Sequence, residues 1–287
     1  MVKVFLDTDI GPDCDDAGAL QVLHTLCAQG RAQLLGVTHC TSNPNGLPAV
    51  SVINRYNGCE VPLGTTRREG FLTGGDKYNR ALDEQYDHEF KDGREQRDAR
   101  DARDVFAEVL AAQDDHSVTV VAIGPLNNIA DYIATEEGRA LVRQKVRRLV
   151  CMAGRFDGLT PEWNVEMDVP AARNVLENWP TPVVFCGWEA GGSVITGAAL
   201  EGRAGHPVRE AYRLYTNGSL RRQSWDLLTV LYAVLGDCDW IHAGDDGVIS
   251  VRDNGATVFK ACAGGRHSYT VNGVSDEKLA GYLNALL

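Results

Sequence analysis

The residues with chemical potential gather at the start of the chain. Asp7, Asp9, Asp13, Asp15 and Asp16 fall within ten positions, directly behind the apolar run of residues 2–6. Carboxylates this close repel one another unless a cation joins them. Hard oxygen donors on short side chains suit Ca²⁺ or Mg²⁺ rather than zinc. Helix capping and the helix dipole would account for one or two of these acids. They do not account for all five, nor for the Asp-x-Asp that closes a hydrophobic run. The expected chemistry is that of a divalent-metal site.

Positioning such a cluster requires a strand before it and a helix after it. Residues 2–7 read as a strand and 15–29 as a helix, and the carboxyl end of a strand is where α/β folds place their chemistry. Further strands are expected at 33–38, 60–63, 117–123, 147–152 and 182–187, and helices at 47–57, 101–113, 126–135, 137–145 and 169–177. The continuous apolar run from Val118 to Ile123 reads as a strand buried on both faces, the mark of a parallel sheet covered by helices. Residues 65–100 are charged and lack clear periodicity, which reads as a long loop, either a lid or a surface loop. Helices at 207–217 and 225–235 follow. A hairpin then turns on Asp253, Asn254 and Gly255, and a last helix spans 276–287. The fold expected is α/β, a doubly wound and mostly parallel sheet with helices on both faces, with a C-terminal β-hairpin and helix appended. No repeat or linker divides residues 1–287, so a single domain is expected.

Bulk properties narrow the partners. The net charge of -11 argues against nucleic acid or an anionic membrane surface. The eight cysteines include no C-x-x-C pair, which argues against zinc knuckles and thioredoxin chemistry. No apolar run approaches the ~18 residues of a membrane span, and no leader pattern opens the sequence. A cytoplasmic protein with reduced thiols is the expectation.

An Asp-x-Asp behind a strand has two uses. In haloacid-dehalogenase-like phosphotransferases the first Asp, here Asp7, is a nucleophile assisted by Mg²⁺, and Asp245 or Asp246 would complete the metal site. In the other use the acids form a Ca²⁺ cradle. The rest of the chain favours the second. Asp7, Asp9, Asp15 and Asp16 with Ala17 to Leu20 resemble the opening motif of the inosine–uridine nucleoside hydrolase family. Four more blocks resemble that family in order: residues 35–38 with Asn43; residues 122–128 with their Gly-Pro-Leu-Asn; residues 152–154 with Glu162, Trp163, Asn164, Asp168 and Ala171; and residues 224–229. A phosphotransferase would share none of these beyond the first.

The resemblance implies an N-glycosyl hydrolase that cleaves a ribonucleoside to free base and ribose. It implies Ca²⁺ held by Asp9, Asp16, Asp226 and the carbonyl of Ile123, with Asp9 also activating a Ca²⁺-bound water. Asp15, Asn43, Glu162, Asn164 and Asp226 match positions that hold ribose hydroxyls, and Asp7 matches a residue that supports the loop. The partner implied is a small-molecule nucleoside, and the assembly a homodimer or homotetramer. Each later residue also has a plainer reading. Glu162 and Asn164 could cap the helix near 169, Asn43 could be a turn residue, and Asp226 a helix N-terminal residue.

Three departures stand out. The opening loop is one residue longer than the common form, and Asp13 has no assigned task. Residues 155–160 replace the element that reaches the ribose 5′ end, leaving that contact open, with Asp157 as a substitute. Trp225 stands where many members carry a leaving-group histidine, and His39 and His88 are the nearest alternatives. Tryptophan at that position is similar to the purine-specific branch, so stacking of Trp225 on a purine is expected, with purine salvage as the setting. The aromatics Phe71, Tyr78, Tyr86 and Phe90 could close over the base, and Glu189, next to Trp188, is a secondary candidate. The missing histidine also leaves open a catalytically silent ribose- or nucleoside-binding member.

Overall fold

The structure is a computed structural model that describes residues 1–90 and 98–287. Seven strands run parallel: β1 (Val2–Thr8), β2 (Ala32–His39), β3 (Leu63–Thr65), β4 (Arg100–Asp101), β5 (Val118–Ala122), β6 (Val146–Met152) and β7 (Val183–Cys186). Helices connect them: α1 (Asp15–Ala28), α2 (Gly46–Tyr56), α3 (Asn79–Gln85), α4 (Ala102–Ala111), α5 (Asn127–Tyr132), α6 (Glu136–Lys145), α7 (Trp163–Met167) and α8 (Val169–Asn178). After β7 come α9 (Trp188–Gly191), α10 (Pro207–Tyr215), α11 (Trp225–Leu235) and the final α12 (Asp276–Leu286). A short antiparallel pair, β8 (Ile195–Thr196) and β9 (Arg222–Gln223), leads into α11. Four strands complete the main sheet: β10 (Ile241–Ala243), β11 (Gly247–Val251), β12 (Thr257–Ala261) and β13 (His267–Asn272).

The spatial order β7-β6-β5-β1-β2-β3-β4 puts a switch point between β1 and β5. From β1 the chain steps outward through β2 to β4, then returns to the other side of β1 with β5. The connections leave β1 and β5 in opposite directions, which opens a crevice beyond their carboxyl ends. The acidic loop and Ile123 leave the sheet at that crevice. Alternation along β1 divides its side chains between two cores. Val4 and Leu6 pack with α1, α2 and α11, while Phe5 packs with α4, its ring 4.7 Å from that of Phe106.

The fold class expected from the sequence is the one observed, with corrections in detail. The strand expected at 60–63 begins at Leu63 instead. Pro62 lacks an N–H for the ladder, although its carbonyl accepts from Val37 N at 3.1 Å. The segment 65–100 is not featureless, because it contains α3 and β4. Helix α3 buries only Asn79 and Leu82, too few positions to show a period. Tyr78 and Phe90 are buried, and Tyr78 Oη donates to the carbonyl of Asp13 at 2.7 Å. Residues 91–97 of that expected lid lie outside the described residues. The C-terminal hairpin is not an appendage either. Strand β13 pairs parallel to β7 and antiparallel to β11, so the hairpin continues the main sheet. Among the described residues no helix is long and apolar enough to cross a membrane.

Phe5 is fully buried beneath the switch point, at the centre of the second core. Phe5→Ala should cost about 3–5 kcal/mol by leaving a cavity that the β1–α4 packing cannot close. Urea titration should show a lower midpoint with an unchanged slope, and an undisturbed midpoint would contradict this account.

Candidate active site and carboxylate cluster

A cavity of about 510 Å³ opens at the switch point, within the size range of small-molecule pockets. Its floor is acidic. Asp15 and Asp16 occupy the first turn of α1 and Asp226 the first turn of α11, where the helix dipoles favour negative charge. All three are buried, and each has an oxygen within 4.8 Å of the others. The two helix starts are tied together, since Asp226 N donates to Asp15 Oδ2 at 3.2 Å. Thr8 Oγ1 donates to Asp16 Oδ1 at 2.5 Å, fixing the cluster to the end of β1. Close backbone approach makes this possible. A Cβ on Gly191 would lie 2.5 Å from Trp225 Cα, and one on Gly124 would lie 2.8 Å from Asp9 N.

Asp9 and Ile123 line the same cavity, with Asp9 hydrogen-bonded to Asp16. Asn164 Nδ2 donates to the carbonyls of Met152 at 3.0 Å and Ile123 at 3.4 Å, which orients the latter. Glu162 lines the cavity and also caps α7. Its carboxylate accepts from the backbone N–H groups of Gly154 (2.9 Å), Asn164 (2.9 Å) and Val165 (3.3 Å). The capping and site readings of Glu162 therefore hold together. Asn43 is buried, and its Nδ2 has no partner among the described residues, but it does not line the cavity. Asp168 caps α8 and pairs with Arg68, a structural task.

Several candidates stand elsewhere. Asp7 is buried behind the cavity, accepting from Thr38 Oγ1 at 2.5 Å and Asn128 Nδ2 at 2.8 Å. It is not placed as a nucleophile, and Asp245 and Asp246 lie exposed before β11. None of Phe71, Tyr78, Tyr86 and Phe90 lines the cavity. His39 and His88 are buried away from it, His88 paired with Asp83 at 2.7 Å. Glu189 accepts from Phe156 N at 2.8 Å, outside the lining.

The aromatic wall holds residues that motif reading did not single out. Trp225 Nε1 donates to the carbonyl of Trp188 at 2.9 Å, and the two rings lie 6.4 Å apart. Arg155 stacks over Trp188 at 4.3 Å, and Arg222 lies over both Tyr215 (5.1 Å) and Trp225 (5.2 Å). Arg222 also pairs with Asp13, the acid without an assigned task. The extra carboxylate of Asp13 in the opening loop, half-buried and in need of a counter-charge, is the one sequence signal that could have led to such an arginine.

Burial dominates the electrostatics. It pushes Asp9 and Glu162 up to about 7. Asp15, Asp16 and Asp226 are also raised well above the usual carboxylate range, by burial first and then by the charges of neighbouring aspartates. No cationic side chain among the described residues forms an ion pair with Asp9, Asp15, Asp16 or Asp226. An all-oxygen donor set with uncompensated negative charge fits a hard divalent cation.

The sequence profile of the inosine-uridine preferring nucleoside hydrolases matches residues 4–272, and the chain belongs to that family. Its fold is similar to that of a plant nucleoside hydrolase, PpNRh1, at 19% identity and TM-score 0.72, covering 99% of this chain and 98% of that one. An inosine-guanosine nucleoside hydrolase is similar at 18% identity and TM-score 0.71, over 99% and 98% of the two chains. The type III effector protein XopQ, complexed with adenosine diphosphate ribose, is similar at 18% identity and TM-score 0.69, over 99% and 93%. No curated protein matches the sequence.

The raised carboxylates set a pH dependence. Unfolded, these groups titrate near 4, whereas folding raises Asp9 and Glu162 to about 7. Between those limits the native state binds more protons than the unfolded chain, so stability falls as pH rises from ~4 to ~7. Chelator-treated protein should therefore melt lower at about pH 7.5 than at about pH 5.5, and a divalent cation should restore most at the higher pH. A metal-free melting temperature that climbs over the same interval would refute the assignment.

Proposed function

We propose that this chain hydrolyses the N-glycosidic bond of a ribonucleoside to free base and ribose, with Ca²⁺ in the carboxylate cluster and purine bases favoured. The observation that carries this reading is the convergence of Asp15, Asp16 and Asp226 on the floor of a cavity with a tryptophan wall. Asp9, Asp16, Asp226 and the Ile123 carbonyl would hold the ion, with Asp15 at its side. Ca²⁺, when bound, lets these carboxylates ionise together and acidifies water in its coordination shell.

The protein groups then divide the work. Asp9 takes the proton of the attacking water at its carboxylate. Asp15, Glu162, Asn164 and Asp226 hold the ribose hydroxyls. The surrounding carboxylates favour the positive charge that builds at C1′ in an oxocarbenium-like transition state. Trp225 and Trp188 offer flat apolar faces to the base and exclude water from it. The same reading includes a cytoplasmic salvage role and assembly as a homodimer or homotetramer, which light scattering would measure.

A second reading is ligand binding without turnover. The effector XopQ, similar in fold, is described with adenosine diphosphate ribose bound, and no histidine of this chain lines the cavity. The deciding experiment measures tightly bound metal and reducing-sugar release over purine and pyrimidine nucleosides. Turnover with Ca²⁺, purines leading, is expected. Ribose binding with no release from any nucleoside would favour the second reading. Mg²⁺-dependent phosphatase activity abolished by Asp7→Asn would overturn both.

Asp9→Ala should lose bound metal and lower kcat by about 10²–10⁴-fold, the usual range for a general base. A variant that keeps its metal and turns over normally would remove Asp9 from its assigned place.

A further inference from the structure

Departure of the base poses an electrostatic problem that the carboxylate floor does not solve. When the C1′–N bond breaks, both bonding electrons go to the base nitrogen. The base must then leave with a proton or beside a cation. Asp9, Asp15, Asp16, Asp226 and Glu162 line the cavity, so an anion leaving past them meets repulsion. Histidine is the usual proton donor near neutral pH, yet none of the seven histidines lines the cavity. Among the described residues, the cationic side chains that do are Arg155 and Arg222.

Arg222 is built into its place. Its Nε donates to both oxygens of Asp13 at 2.9 and 3.0 Å, and its Nη2 also bonds Asp13. Its Nη1 donates to Gln223 Oε1 at 2.8 Å. Asp13 is itself fixed, since its Oδ1 accepts from Cys14 N at 2.6 Å and its carbonyl from Tyr78 Oη at 2.7 Å. The guanidinium plane lies against Tyr215 and Trp225. Of the five N–H groups of an arginine, these bonds engage three and leave two. Arg222 also stands four residues before Asp226 at the entry to α11, which keeps it near the sugar floor. Arg155, by contrast, stacks on the half-exposed Trp188, with the carboxylate of Asp157 2.8 Å from its Nε.

We propose that Arg222, locked by Asp13, serves the leaving base. Its remaining N–H groups donate to the departing base, and its fixed charge balances the electron pair left on the base nitrogen. C1′ gains the oxygen of the attacking water, whose proton passes to Asp9. The base leaves paired with the guanidinium and takes its proton from solvent afterwards. Leaving groups that spread negative charge onto an oxo group, such as hypoxanthine, are therefore preferred over adenine. This inference rests on the N-ribohydrolase reading above.

The test compares Arg222→Gln and Arg222→Lys with the unaltered protein on inosine and on p-nitrophenyl β-D-ribofuranoside, whose leaving group is a stable anion without assistance. Arg222→Gln should lower kcat on inosine by about 10²–10³-fold, as removal of a transition-state donor does. Its loss on the p-nitrophenyl riboside should be at least tenfold smaller. Arg222→Lys, which retains the charge, should recover part of the inosine rate. Equal losses on the two substrates in a Gln variant that melts like the unaltered protein would overturn the proposal, as would an undiminished inosine rate in that variant or a Lys variant no faster on inosine than the Gln one. An unaltered protein inactive on both substrates would overturn the N-ribohydrolase reading itself.

Discussion

The mutual repulsion of buried carboxylates is the constraint around which this molecule is arranged. Asp9, Asp15, Asp16 and Asp226 come together where water is largely excluded, and burial raises all four. Several features offset that cost. Two helices direct the positive ends of their dipoles at the cluster. Thr8 Oγ1 and the backbone N–H of Asp226 donate into it. Gly191 and Gly124 let the backbones close in around it. The charges are held together by the end of β1 and the paired starts of α1 and α11.

The architecture explains why the cluster forms here and not elsewhere. The reversal of strand order between β1 and β5 leaves the sheet uncovered at one point, and both neighbouring strands end there. The strands themselves are fixed by apolar packing on two faces, which is indifferent to the chemistry above. Asp7 illustrates the boundary. It begins the acidic series, yet it faces inward to Thr38 and Asn128 and supports the loop from below. One residue type thus performs two physical tasks within three positions.

Much of this was legible in the sequence. Parallel strands such as β5 are continuous apolar runs, and the helices between them carry enough buried positions to show a period. The floor was legible because Asp-x-Asp and Asp-Asp bracket a single loop, and because the later blocks follow in family order. The aromatic and cationic wall was not. Arg155 comes from a segment far from Tyr215 and Arg222, and the stacking of both arginines depends on side-chain reach that spacing does not encode. Tyr78 looked available to cover a ligand but is fully buried under the loop it supports. Strand β13 was missed because its six residues mix polar and apolar side chains instead of forming an apolar run.

The position of β13 has a consequence for how the chain is made. It lies between β7 and β11, so the outer edge of β7 is covered only by residues 267–272. On the ribosome those residues emerge well after β7, behind α9 to α11 and β10 to β12. Until then the nascent chain presents a bare strand edge, the kind of surface that pairs with other chains. Residues 267–287 line no part of the candidate cavity, but β13 closes the sheet that supports it. Loss of β13 would thus be felt first as poor solubility during synthesis.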